Sequence, residues 1–591
     1  GYCRRLRGRL AELEPRRPAD APAGPAYLVI EKILGAGERL AEDWEVDGTS
    51  GYDFMETVSA VLHDPDAGPA LAELWAALSG RPADFAAEEV AARHEILDLS
   101  FTAQLDAAVG ALHRVALERS DTRDFSRPAL GRALVELLAH FPVYRTYAYG
   151  ALRPKSDDAV LARALAGARS AASLARPEVL ELIVAWLRDP DGVQRQVAAT
   201  RFQQLSAPVA AKAVEDTAFY RYGRLLSRND VGFDAAVLGT EPAEFHRDCA
   251  QRGETFPDAM LATATHDHKR GEDVRARLAV LSEMPSHWGE TLRLWLMMNA
   301  RHRGTADALP APSTGDETML YQTIVGAWPM MLDPHDRDGC RVFAERLAGW
   351  QEKALHEAKL RTSWTSANQE YDAAARAFVE AVMADAGFAE KAAALANRIA
   401  PAGAVNGLAQ VVLKATVPGV PDFYQGTEFW DQSLVDPDNR RPVDFDRRMA
   451  ALRDADAPAS LAASWRDGRV KQAVIARLLA LRQRLPELFA RGDYTPLFAD
   501  GPLAAHVIAF VRRAANTALV VVVPRLPLAL LPESDGLAIP ASSWQGTELK
   551  VPTGLSGLTN VIGDASYHQE RLPLGEILAG FPVAVLVSPD S

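Results

Sequence analysis

The chain has 591 residues, 48% of them hydrophobic and 24% charged, proportions ordinary for a soluble globular protein. They exclude collagen-like, coiled-coil and mostly disordered architectures. A formal net charge of −14 argues against a nucleic-acid scaffold and suits an enzyme acting on a neutral substrate.

The three cysteines, Cys3, Cys249 and Cys340, are odd in number and widely spaced. They form neither a disulfide framework nor a metal-binding pair, so a reducing cytosol is the simplest compartment. The basic start, Arg4-Arg5-Leu6-Arg7-Gly8-Arg9, lacks the apolar region of a signal peptide and reads as an amphipathic surface helix. No window approaches ~18 uninterrupted apolar residues, so no membrane partner is expected. The first residues are Gly1-Tyr2-Cys3, without an initiator Met.

In chain order, residues 1–13 predict a helix and Glu14 to Pro25 a Pro/Ala-rich loop. Tyr27 to Ile30 is a short apolar run bounded by Pro25 and Glu31-Lys32, the pattern of a buried parallel strand. Helical periodicity runs from about Ala70 to Arg224, with Glu88 to Leu117 and Leu130 to Ala139 as examples. Met260 to Thr265 predicts another strand, ending at His266-Asp267. Helices follow over Asp273 to His302, Asp316 to Ala396 and Ala404 to Lys414, then a Pro/Gly-rich loop. From Thr495 the pattern changes to short β-rich runs, Val507–Val511, Leu519–Val523, Leu549–Pro552 and Val583–Val587, which predict an antiparallel C-terminal domain. Isolated buried strands among long helices suggest a β/α barrel with helical insertions, whose catalytic groups sit at the C-terminal strand ends.

Glu31 stands at such an end. A carboxylate following a buried strand can have a raised pKa and act as a general acid; the alternatives are pairing with Lys32 or capping the next helix. His266-Asp267-His268-Lys269-Arg270 stands at another. Neighbours on extended chain face opposite sides, which is poor metal-ligand spacing. Asp267 can instead point into a cleft beside His266, held ionised by Lys269 and Arg270. The alternative is a solvated turn in which Asp267 caps a helix starting near Glu272. The segment Pro418 to Glu428 joins Pro, Gly, Tyr424 and Gln425 in a composition suited to stacking on sugar rings and bonding their hydroxyls. Asp438-Asn439-Arg440 follows in a dense polar turn. Walker A, dinucleotide-binding, nucleophile-elbow and His-Glu-x-x-His motifs are all missing, so no cofactor and no metal is expected.

Longer ordered text carries a resemblance. It comprises Val29 to Leu34, Trp44-Glu-Val-Asp-Gly-Thr-Ser-Gly-Tyr-Asp53-Phe54, Phe141 to Tyr147, and Phe219-Tyr-Arg-Tyr-Gly-Arg224. It continues through Met260 to Arg277, Lys359-Leu-Arg-Thr-Ser-Trp364, Asn406 to Gln410 and Pro418 to Phe445. These segments resemble the maltooligosyl trehalose synthase branch of the α-amylase superfamily, glycoside hydrolase family 13.

The resemblance implies an α/β fold, a (β/α)8 TIM-type barrel lacking its first strands, with large helical insertions and a small C-terminal antiparallel β domain. The implied division is a partial barrel over 1–54, a helical insertion over 55–255 and the seventh strand with its loop over 256–275. A second insertion spans 276–400, the last barrel unit 401–490 and the β domain 491–591. Glu31 is then the general acid/base, and Asp267 with His266 stabilises the transition state. Lys269, Arg270, Tyr424, Gln425, Asp438, Asn439 and Arg440 line the sugar site.

The implied reaction turns the reducing-end α-1,4 bond of a maltooligosaccharide into an α,α-1,1 bond by intramolecular transfer. The implied partners are the α-glucan substrate and, functionally, a maltooligosyl trehalose trehalohydrolase. One departure stands out. The superfamily's nucleophilic Asp lies in an Arg-x-Asp-His motif ending the fourth strand. Arg119-Ser-Asp121 and Arg228-Asn-Asp230 have the spacing but neither the strand nor the His. The expectation is an N-terminally truncated chain that is inactive alone. The rival readings are an α-amylase-type hydrolase of α-glucans or maltooligosyl trehalose, and a non-catalytic glucan-binding remnant.

Overall fold

The computed structural model describes residues 1–21, 23–171, 175–454, 456–533 and 535–588. Its parallel strands are very short. Strand β1 (Val29–Ile30) pairs with β2 (Gly48–Thr49), and β3 (Met260–Leu261) pairs with β4 (Val420–Pro421), both in parallel register. The two pairs meet through glycines. A Cβ on Gly48 would lie 2.4 Å from Ala259 Cβ, and one on Gly51 would lie 2.5 Å from the Ala262 nitrogen. The four strands thus follow one another around the wall of a β/α barrel, with β2 against β3.

The strand expected over 260–265 is therefore two residues long. Beyond Leu261 the backbone leaves the ladder, and Arg275 donates to the Thr263 carbonyl. The Glu88–Leu117 pattern is two helices, Phe85–Leu99 and Thr102–Leu117, broken at Ser100-Phe101. The 273–302 stretch divides as well, into Glu272–Ala279, a 3-10 turn and Pro285–Met298. Pro285 lacks the amide that an unbroken helix would need there. Conversely, Ala404–Lys414 belongs to a 31-residue helix, Ala386–Thr416, that runs through Pro401.

The helices Phe85–Leu99 to Val193–Ala210 enclose a core around Leu112, Leu134, Leu138, Ile183 and Phe202. A second core gathers Trp288, Trp295, Tyr321 and Phe388. The long Ala386–Thr416 helix leaves that core to join a third one, beneath the C-terminal domain. There a six-stranded antiparallel sheet runs in the order 566–567, 558–560, 584–587, 517–524, 507–514, 495–497. Its central strand Thr517–Pro524 sends Leu519, Val521 and Val523 towards the long helix and Ala518, Val520 and Val522 to the opposite core, the period-2 alternation of a sheet buried on both faces. Arg525, at the end of that strand, is buried and donates to the carbonyls of Val61, His63 and Thr240. It ties the β domain to the barrel.

Among the described residues, no helix is long and apolar enough to cross a membrane. No group of three or more His, Cys, Asp or Glu among them could hold a metal ion.

Candidate active site

Glu31 directly follows β1, and His266-Asp267 forms the turn beyond β3. Tyr52 relates the two. It begins the helix after β2, and its hydroxyl shares a 3.2 Å hydrogen bond with Thr265 Oγ1, which in turn accepts the Asp267 amide at 3.1 Å. Burial pushes the Tyr52 phenol up to about 12, and the negative charges of Asp267, Glu31 and Asp230 add to the rise. One hydroxyl therefore feels both carboxylates at the strand-end rim. Tyr52 lies within the Trp44-to-Phe54 segment, where the sequence pattern marks neither β2 nor a role for this residue.

Glu31 is exposed, not enclosed by apolar neighbours as its position after a strand suggested. Nor does it pair with Lys32, whose ammonium lies 2.7 Å from Glu38. Asp267 and His266 are exposed as well, and the helix that follows is capped by Gly271, not Asp267.

The next residues face inward. His268 is fully buried, and burial lowers its pKa. Its Nδ1 accepts the Thr265 amide, so the neutral ring carries its proton on Nε2 and donates to Ser433 Oγ at 3.1 Å. The expectation that Lys269 and Arg270 hold Asp267 ionised is corrected: neither ion-pairs with it. Lys269 is 4% exposed, with Nζ 3.4 Å from Asp216 and 5.0 Å from the centre of the Tyr220 ring. Burial opposes its charge, but Tyr220, Asp216, Glu215 and Asp230 outweigh burial and raise the pKa. Arg270 is 1% exposed and donates to the Asn229 carbonyl; burial lowers it to about 10, so it remains cationic. The turn at His266-Asp267 sends these chains to the far side of the loop.

Asp230 sits under this loop. It accepts the Lys269 amide at 2.9 Å and binds Arg275 at 2.9 Å, in a pair 0% and 4% exposed. The Arg228-Asn-Asp230 spacing noted in the sequence thus marks a buried brace. A second buried group lies one turn further on. Lys471 Nζ contacts Glu272 at 2.5 Å and Asp273 at 2.7 Å, while Lys414 Nζ donates to Thr263 Oγ1 at 2.6 Å. Against the penalty of burial, Lys471 and Lys414 hold Glu272 below the usual carboxylate range, whereas burial pushes Asp273 up. Burial likewise lowers Lys414 to about 8.

The sugar-loop candidates divide similarly. Tyr424 is half-buried with its ring edge-on to His268 at 6.1 Å, and Gln425 is exposed beside it. Asn439 donates its amide to the carbonyls of His266 at 2.9 Å and His268 at 3.5 Å. Asp438 takes a bidentate contact from Arg346 at 3.0 and 2.9 Å and the Leu434 amide at 2.8 Å. Arg440 is exposed and pairs with Asp436 at 2.7 Å.

A cavity of about 750 Å³ lies to one side, lined among others by Glu38, Asp53, Arg93, Tyr144 and Glu215, but not by Glu31, His266, Asp267 or Tyr424. Among its lining residues is Glu215, at the end of a π-helical turn (Ala211–Glu215). Burial lifts Glu215 to about 7, although Tyr144 donates a hydrogen bond to it and Lys269 opposes the rise.

No family model matches the chain. A curated protein of Mycobacterium tuberculosis (strain H37Rv), assigned by name to maltooligosyl trehalose synthase, is 35% identical over 575 residues. That match takes in 96% of this chain and 66% of the relative. The chain therefore spans just under two thirds of that relative's length. The solved structure of maltooligosyltrehalose synthase from Arthrobacter ramosus superposes with a TM-score of 0.80 at 32% identity, covering 99% of this chain and 68% of that one. Another crystal structure of maltooligosyl trehalose synthase gives 0.73 at 27% identity, over 95% and 65%. The chain belongs to the maltooligosyl trehalose synthase family.

Proposed function

We propose that this chain supplies the acid/base and stabilising groups of an intramolecular transglucosylase. Its substrate is a maltooligosaccharide, whose reducing-end α-1,4 bond becomes α,α-1,1. Glu31 protonates the leaving glycosidic oxygen and later takes the proton from the attacking hydroxyl. Asp267, beside His266, faces the charge that develops on the sugar ring. A retaining transfer also needs a nucleophilic carboxylate about 5–5.5 Å from the acid, and no residue of this chain is assigned that role. The leaving glucose stays bound, turns, and attacks through its anomeric hydroxyl; water must be kept out meanwhile. Of the sequence candidates, Tyr424 and Gln425 contact the sugar; the half-burial of Tyr424 beside His268 and the exposure of Gln425 support this. Asn439 and Asp438 serve by fixing the loop backbone, and Lys269 and Arg270 by anchoring it from beneath.

The observation that carries this reading is geometric: Glu31 directly follows β1, His266-Asp267 forms the turn beyond β3, and the Tyr52 hydroxyl is hydrogen-bonded to Thr265, which accepts the Asp267 amide. The chain alone is expected to bind maltoheptaose without turning it over. Supplied with the part of the Mycobacterium tuberculosis relative that it does not span, it is expected to form non-reducing trehalosyl ends. Glu31→Gln should abolish that conversion and leave calorimetric binding unchanged. Turnover that survives in Glu31→Gln refutes the assignment, and release of maltose or free trehalose favours the hydrolase reading.

A further inference from the structure

Trp364 is 57% exposed, and it is the one exposed tryptophan of the eleven in the chain. Single exposed apolar residues are common and by themselves carry little meaning. This one is fixed on several sides. Its indole Nε1 donates to Glu357 at 3.2 Å, and its ring stands edge-on against His356 at 4.4 Å. The loop that presents it is closed by reciprocal backbone bonds between Ser363 and Ser366. Thr362 and His356 both bind Asp372, at 3.1 and 3.0 Å. The indole is thus held in place before any ligand arrives, which lowers the ordering cost of binding.

Its position adds the second argument. Glu357, which holds the indole, also lies 3.6 Å from Lys359 Nζ. Lys359 donates to the Asp216 carbonyl at 3.2 Å and to Thr217 Oγ1 at 3.0 Å, and Asp216 binds Lys269. A short run of polar contacts therefore joins the indole to the loop carrying Asp267. The apolar face of a pyranose ring packs on an aromatic face while its hydroxyls reach flanking carboxylates and ammonium groups. Glu357 and Lys359 are such groups.

We propose that Trp364 is the stacking platform of an outer glucan subsite, holding a glucose unit of an α-1,4-linked chain on the surface that Glu357, Lys359, Asp216 and Lys269 join to the Asp267 loop. This rests on the glucan reading proposed above. The test uses the 591-residue chain, maltoheptaose and iodide, which quenches exposed tryptophans. In the free protein the quenchable emission should belong to Trp364 and vanish in Trp364→Ala. Bound maltoheptaose should shield it in the wild type. Trp364→Ala should bind maltoheptaose roughly three- to tenfold more weakly by calorimetry, with Trp364→Phe close to wild type. Maltoheptaose that binds without shielding, or with unchanged affinity in Trp364→Ala, overturns the subsite and leaves the glucan reading standing. A wild-type chain that binds no maltoheptaose overturns both.

Discussion

Asp230 is the strongest test of how the Asp267 loop is held. Its carboxylate is fully buried and accepts three donors at 2.9 Å: the amides of Val231 and Lys269, and Arg275 Nη1. Asp230→Asn keeps the shape and removes the charge. The new amide nitrogen must then face either Arg275 or the two backbone amides, so donors meet donors in either orientation. Arg275 keeps its charge with no counter-ion at that contact. Breaking a buried pair from one side costs about 3–5 kcal/mol. Each ~1.4 kcal/mol is a factor of ten in an opening equilibrium. If the cost falls on the loop alone, amide exchange over residues 263–271 should quicken by at least ~100-fold. The strands 507–524, remote from Asp230, serve as the internal control. Hydrogen exchange read by mass spectrometry resolves both segments. Exchange at 263–271 within tenfold of the wild type, in a variant that remains folded, would refute the idea that Asp230 braces the loop.

Glu283 tests the contact with the β domain. Burial pushes it up to about 8; its Oε2 accepts the Leu528 amide at 2.8 Å, while Oε1 is buried without a partner. A folded pKa above the unfolded one gives stability that is complete below about pH 4 and lost as pH rises through 8. The stability of the wild type relative to Glu283→Gln should therefore fall by about 3 kcal/mol between pH 6 and pH 9; a flat difference in denaturant midpoints speaks against it. Gly48→Ala would drive its Cβ to 2.4 Å from Ala259 Cβ at a φ of +150° and should leave no soluble protein. Gly546→Ala, at positive φ with open space around it, should cost only about 1 kcal/mol in the same expression and melting assays.

The legible parts of this chain were those that local pattern determines. Tyr27 to Ile30 reads as a strand because an apolar run is bounded on both sides, and β1 lies within it. The C-terminal strands read well because short β-rich apolar runs are separated by turn residues. What failed were lengths and breaks. Nothing local at Ser100-Phe101 announces a helix end, and Pro401 argued against a helix that the surrounding core carries through it. The exposed half of the proposed site, Glu31, His266 and Asp267, could be located in the sequence because strand ends point to it. The buried half was not. Lys414 reads as the end of a helix and Lys471 carries no motif, and only the folded chain brings them to Thr263 and to Glu272 and Asp273.

That buried half follows from how short the parallel strands are. Two paired residues in each of β1 to β4 give a ladder too small to fix the direction of the loops that leave it. Orientation must come from elsewhere, and here it comes from polar groups underneath. Asn439 grips the carbonyls of His266 and His268, Asp230 grips the Lys269 amide, and Ser433 grips His268 and the Gly271 amide. Replacing buried ion pairs with apolar residues often leaves stability equal or greater, so the gain here is direction. An apolar core would pack beneath the loop equally well in several rotations. A carboxylate that must meet both Arg275 and a particular backbone amide accepts one. The exposed side chains of His266 and Asp267 are aimed by residues that no ligand at the rim would touch.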